Sequence, residues 1–204
     1  SLSQLRFAAP ALNALHADLM GLKKAELIDS DISEIKLEQE IQLSNIQFSY
    51  PGAIKPTLKS LSLTIPACST IGLIGHTGSG KTTIVDIILG LLEPQKGMFR
   101  VDGEVISAKK CRAWRKVIGY VPQQIQLIDN TIAANIAFGV EHVKINQVEM
   151  ERTAKIANLH EFVVNELPGG YSTIIGDHGV RLSGGQRQRI GIARALYNNP
   201  KVLI

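Results

Sequence analysis

A chain of 204 residues, 45% hydrophobic and 20% charged, is long enough for one substantial core or two small ones and has the composition of a soluble globular protein. Its formal net charge of +4 comes from scattered lysines and arginines, densest at Lys109 to Lys116; this reads as an ordinary solvated face, and no nucleic-acid partner is expected. Cys68 and Cys111 lack metal-ligand spacing and read as small buried groups in a reducing setting, while the longest apolar run, Ile84 to Leu92, is broken by Asp86 and Gly90 and is too short to span a bilayer.

Leu2, Leu5, Ala9, Leu12, Leu19 and Leu22 recur at helical spacing, so residues 1–25 read as a helix with one apolar stripe, kinked or started at Pro10. The polar, acidic stretch 26–40 reads as a linker, part of which could form an edge strand. The period then becomes two. Ile41 and Leu43, Ile46 and Phe48, and Leu61, Leu63 and Ile65 flank the turn-rich "YPGAIKP" and predict antiparallel strands.

From Thr70 the pattern runs strand, glycine loop, helix: "TIGLIG", "HTGSGK", and a helix burying Ile84, Ile87, Ile88 and Leu91. "MFRVDG" and "KVIGYVP" read as further strands. Between Asn130 and Leu167 the reading is almost wholly helical, with "TIAANIAF" capped by Asp129 or Asn130 and followed by "NQVEMERTAKIANL". A last helix starts at Ser183, and "KVLI" begins another buried strand. These elements predict an α/β layered core with an antiparallel β subdomain and an inserted helical subdomain at about 130–190.

Gly75 to Thr82, "GHTGSGKT", matches glycine, four residues, Gly-Lys-Thr, between a predicted strand and a predicted helix. Glycines let successive amides turn inward and ring a phosphate, and the helix dipole adds attraction. The candidate nucleotide contacts are Gly75, His76, Thr77, Gly78, Ser79, Gly80, Lys81, Thr82 and Thr83, with His76 and Thr77 entering as loop spacers rather than catalysts. Lys81 would reach the terminal phosphates, the Thr82 hydroxyl would coordinate Mg²⁺, and Thr83 would bond the α-phosphate. By itself the loop specifies only a nucleoside triphosphate.

"LSGGQ", Leu182 to Gln186, holds no acid or base. Ser183 followed by Gln186 is a capping-box pattern, and Ile190, Ala193, Leu196 and Tyr197 supply the ensuing helix with a buried face. The segment thus reads as an ordinary helix start. Yet glycines at 184 and 185 cost about 1 kcal/mol each relative to alanine, which makes sense where something approaches the backbone closely.

The P-loop "GHTGSGKTT", the "YVPQ" ending in Gln123, and "LSGGQ", in that order, resemble the nucleotide-binding domain of ABC transporters over about Ile41 to Ile204. Tyr50 in "FSYPG" stands where that family places an adenine-stacking aromatic. The resemblance implies a P-loop NTPase core in which the C-terminal part of the sheet is missing, that the cofactors are ATP and Mg²⁺, and that Gln123, otherwise a surface glutamine, is a catalytic-site ligand to the metal and the attacking water beside Lys81. It also implies that Ser183, Gly184, Gly185 and Gln186 hold the γ-phosphate of ATP bound to an opposing domain. The implied partners are a second nucleotide-binding domain in a head-to-tail dimer and transmembrane domains of the same polypeptide.

"IGYVPQQIQLIDNTIAANIAFG" is most similar to exporters with a membrane domain fused ahead of the ATPase, and among these to lipid-linked oligosaccharide flippases. Residues 1–25 then resemble the cytoplasmic end of the last membrane helix. The chain would sit at the cytoplasmic face of the membrane. Asp177 and His178 stand where exporters usually carry a Glu-Arg pair. In the family an aspartate, a glutamate and a histidine follow a strand such as Lys201 to Ile204; these 204 residues stop before them and are expected to be soluble and to hydrolyse ATP negligibly. The alternative function is a soluble ABC-type ATPase acting on DNA or ribosomes.

Overall fold

The computed structural model describes residues 35–176 and 182–204, together with Leu12, Asn13, Leu15, His16 and Leu19. The chain divides into two compact units, Ser1–Asp31 and Ile32–Ile204. In the first, the five described residues are helical; Leu12 and Leu19 of the predicted stripe are exposed, as is Leu15. Asp177 and His178 lie outside the described residues. No helix among the described residues is long and apolar enough to cross a membrane.

In the second unit, β1 (Glu40–Phe48), β2 (Leu58–Pro66), β3 (Lys96–Val101) and β4 (Glu104–Val105) form an antiparallel sheet in the order β2-β1-β3-β4. The core positions of β1 do not keep strict alternation, since two residues, Ser44 and Asn45, separate Leu43 from Ile46, yet both are buried. A bulge resolves this. The register shifts between Leu43 and Ile46, and Asn45 takes a left-handed φ of 52°, which returns Ile46 and Phe48 to the face of Ile41 and Leu43. The bulge depends on Gly97 in β3: a Cβ there would overlap the Ser44 carbonyl oxygen and lie 2.6 Å from that of Asn45, and its φ is +92°.

That face packs on α1 (Lys81–Ile88) and α2 (Cys111–Lys116). Ile87 and Ile88 of α1 and Trp114 of α2 join Leu43, Ile46, Phe99 and Val101 in one core. Trp114 is fully buried, donates its indole N–H to the Ile88 carbonyl at 2.6 Å, and meets Phe99 edge-on with ring centroids 5.8 Å apart.

The second core is helical. α3 (Ile132–Ile136), α4 (Gln147–Ile156), α5 (His160–Glu166) and α6 (Gly184–Leu196) bury Ile136, Ala154, Leu159, Val163, Ile190 and Ala193 against one another. The Tyr197 hydroxyl accepts the Asn146 N–H at 2.9 Å, which fixes the end of α6 to the start of α4. β5 (Ile118–Gly119) and β6 (Val202–Leu203) pair in parallel, and Val121 N–H extends the ladder to the Ile204 carbonyl.

Four expectations change. Thr70 to Gly75 is not a strand, because no strand among the described residues runs beside it; Ile74 is 95% exposed, although Leu73 reaches the first core. Leu91 is exposed rather than on the buried face of α1. The helix stops at Ile88 in a Schellman turn, with Leu91 N–H on the Asp86 carbonyl and Gly90 N–H on that of Ile87. α3 is capped by Thr131, whose hydroxyl accepts Ala134 N–H, while Asn130 caps only the Thr131 amide. Cys68 is exposed, because it occupies the turn that follows β2.

Asp102, in the turn between β3 and β4, accepts the backbone N–H groups of Glu38, Gln39 and Glu40 at 2.6, 2.8 and 2.8 Å and so anchors the chain entering β1. Desolvation pushes its carboxyl up, but the three amides outweigh it and hold the group below the ordinary carboxylate range. A depressed folded value stabilises above the unfolded value and is lost as pH falls through the folded one. Asp102→Asn, which tolerates the same left-handed φ, is therefore expected to lower the thermal midpoint at pH 7 by about 2 °C. Melting curves of the two proteins should converge on acidification, whereas a gap of constant size would show that the charge is not the cause.

Candidate nucleotide-binding site

The loop Gly75 to Gly80 leads directly into α1. Gly80, the residue before the helix, has φ +89° and lies against β2: a Cβ there would sit 2.8 Å from Leu58 Cδ2. A side chain at 80 would be strained and would also push the loop off the sheet. Helix α1 has neither a side-chain cap nor an acid in its first turn. Its leading N–H groups and the positive end of its dipole therefore face the loop uncompensated, which is the chemistry an anion requires.

Lys81, first residue of α1, folds its ammonium over that loop and donates to the Gly75 and His76 carbonyls at 2.8 Å each, with the Ser79 hydroxyl at 3.4 Å. The Ser79 N–H bonds the His76 carbonyl and closes a turn across Thr77 and Gly78. Thr82 is exposed on the first helical turn, whereas Thr83 is buried. A cation, an exposed hydroxyl and the uncapped leading amides of α1 thus lie within nine residues, a set that suits a triphosphate with a divalent metal.

Tyr50 joins this site from the end of β1. Its ring stands edge-on against Phe48 at 5.0 Å, and its hydroxyl lies 3.2 Å from that of Thr83. Tyr50 remains 41% exposed, so an aromatic surface is available beside the helix that carries the phosphate loop. The Thr83 hydroxyl, expected to serve phosphate, is instead occupied by tyrosine, a pairing 33 residues apart in sequence that no local pattern announces.

Gln123 is exposed in the irregular segment just after β5. Ser183 caps α6 in a complete capping box: its hydroxyl accepts Gln186 N–H at 3.2 Å, and the Gln186 side-chain oxygen accepts Ser183 N–H at 2.8 Å. The box uses one leading amide of α6 and leaves those of Gly184 and Gly185. Neither glycine has a positive φ. Among the described residues, a Cβ at Gly184 would meet nothing within 4 Å and one at Gly185 only the Ser183 hydroxyl at 4.0 Å. The fold of the described chain therefore gives no reason for glycine at either place. No hydrogen bond among the described residues joins the phosphate loop to the start of α6.

Comparison with known proteins converges on one group. Residues 58–204 match the family profile described as ABC transporter. An ATP-dependent lipid A-core flippase from Saccharophagus degradans is 44% identical over 164 residues, which cover 80% of this chain and 27% of the flippase. ABC transporter B family member 1 of Arabidopsis thaliana is 41% identical over 167 residues, 80% of this chain and 13% of that protein. Among solved structures, one of a bacterial Atm1-family ABC exporter with ATP bound superposes with a TM-score of 0.81 at 30% identity, covering 93% of this chain and 33% of the exporter chain. The chain thus spans a third or less of the length of these relatives.

Proposed function

Because the chain belongs to the ABC transporter family, we propose that it is the ATP-binding domain of an exporter or flippase, seated at the cytoplasmic face of a membrane and coupled to transmembrane domains of the same polypeptide. Lys81 and the Gly75 to Thr83 backbone bind the phosphates, and Tyr50 stacks on the base. Thr82 and Gln123 hold Mg²⁺, which when bound neutralises charge on the terminal phosphates. Gln123 also orients the attacking water.

The observation that carries this reading is the pair Gly184 and Gly185, two poor helix formers that no contact within the described chain requires. Bare backbone amides at a helix N-terminus suit an anion from outside the chain. The corresponding partner is a second copy or homologue of this domain, placed head-to-tail so that each α6 start closes on the other's ATP. Lipid-linked substrates are favoured by the flippase relatives.

Gly185→Leu separates this from a purely structural cap. A better helix former facing open space is expected to leave the thermal midpoint unchanged or raised, by up to about 1 kcal/mol of stability. The same change should abolish the association that a non-hydrolysable ATP analogue induces, measured by sedimentation velocity. Undiminished association in the variant would show that α6 does not receive nucleotide.

A further inference from the structure

Gln123 lies on a short bridge. On one side, Val121 is tied to the sheet through the Ile204 carbonyl. On the other, every residue from Ile125 to Ile128 is held by the helical core. Ile125 fills the space a side chain at Gly191 of α6 would occupy, its Cγ1 lying 2.8 Å from the position of that Cβ. The Gln126 carbonyl accepts Arg194 Nη1 at 2.8 Å, and Leu127 is buried. The backbone N–H and C=O of Ile128 both bond the Asn135 side-chain amide at 3.0 Å.

Arg194 is the centre of this attachment. Its Nε donates to the Asn135 carbonyl at 2.8 Å, its Nη2 to Asn135 Oδ1 at 3.2 Å, and its guanidinium lies 4.9 Å over the Phe138 ring. No carboxylate among the described residues pairs with it, and burial pulls its pKa down. Three acceptors on two segments are matched by a planar fork of donors, a geometry that lysine cannot reproduce. The same rigid helix carries Ser183 at its start and Gly191 and Arg194 in its later turns.

We propose that Arg194 and Gly191 are positioning residues that fasten the segment after Gln123 to α6 and so set where Gln123 stands between that helix and its anchor at Val121. The inference rests on the reading of Gln123 as a metal and water ligand.

The test uses the polypeptide carrying this chain, with Gly191→Ala, which drives a methyl group into Ile125, and Arg194→Lys. Both are expected to lower kcat for ATP hydrolysis about tenfold, since small misplacements of a positioned group have effects of this size or larger. Binding of ATP at the phosphate loop should stay within twofold of the parent. Without nucleotide, amide exchange from Gln123 to Ile128 should quicken about tenfold in Arg194→Lys and remain unchanged at Gly75 to Gly80. The double variant Gly191→Ala, Ile125→Ala, which restores the lost space, should recover most of kcat. A kcat per folded molecule equal to the parent's in both single variants, or unaltered exchange after Arg194→Lys, would overturn the proposal. A parent protein that neither binds nor hydrolyses ATP would instead defeat the functional reading on which it stands.

Discussion

Replacing Lys81 with alanine is expected to weaken ATP binding about 100-fold while leaving the fold in place. The ammonium is held over the loop by two backbone carbonyls at 2.8 Å, partners far weaker than a polyanion, so a triphosphate would draw it away from them. Loss of a charge-assisted contact at a partly shielded site costs about 2.7 kcal/mol, which corresponds to that 100-fold. The side chain is only partly buried and supports no core contact, so the thermal midpoint without nucleotide should change little. Titration calorimetry with an ATP analogue measures the effect, and an affinity within threefold of the parent would remove Lys81 from the site.

Trp114→Ala is expected to have the largest effect on stability, a loss of about 3–5 kcal/mol. The indole is fully buried at the point where α1, α2 and the sheet meet, and alanine would leave a cavity while stripping the Ile88 carbonyl of its donor. Against a total stability of about 5–15 kcal/mol, that loss leaves little margin at 37 °C. Trp114→Phe keeps most of the volume and the edge-on contact with Phe99 but not the N–H, and should cost about 1–2 kcal/mol. Urea denaturation of the three proteins checks the order, and equal midpoints for alanine and phenylalanine would show that ring packing contributes nothing.

The sequence made the local chemistry legible wherever it is encoded within a few residues. The glycine spacing before Lys81 announced a loop that leads straight into a helix, and Ser183 with Gln186 announced a capping box; the structure forms both. The family assignment likewise followed from three contiguous motifs and their order, and it agrees with the profile match and the relatives. Reading the first strand by alternation alone would have placed Ile46 on the wrong face, because the bulge that rescues it depends on Gly97, a residue of another strand. The occupied Thr83 hydroxyl was hidden for the same reason, its partner Tyr50 being distant in the chain.

Helix caps, turns and glycine loops are decided by hydrogen bonds that close within one turn of backbone, so the order of residues narrows them to within a residue or two, as the cap of α3 at Thr131 rather than Asp129 or Asn130 shows. What the sequence by itself determined here is therefore the glycine loop leading into α1, the start of α6, and membership of the family. Only the tertiary structure decided which segments lie side by side. It left Thr70 to Gly75 without a strand neighbour among the described residues, and it attached the residues after Gln123 to Gly191 and Arg194 of α6. It also established that Gly184 and Gly185 answer to no contact within the described chain. A glycine that packs internally and one left bare for a partner read alike in sequence, since the difference lies in what stands opposite the missing side chain.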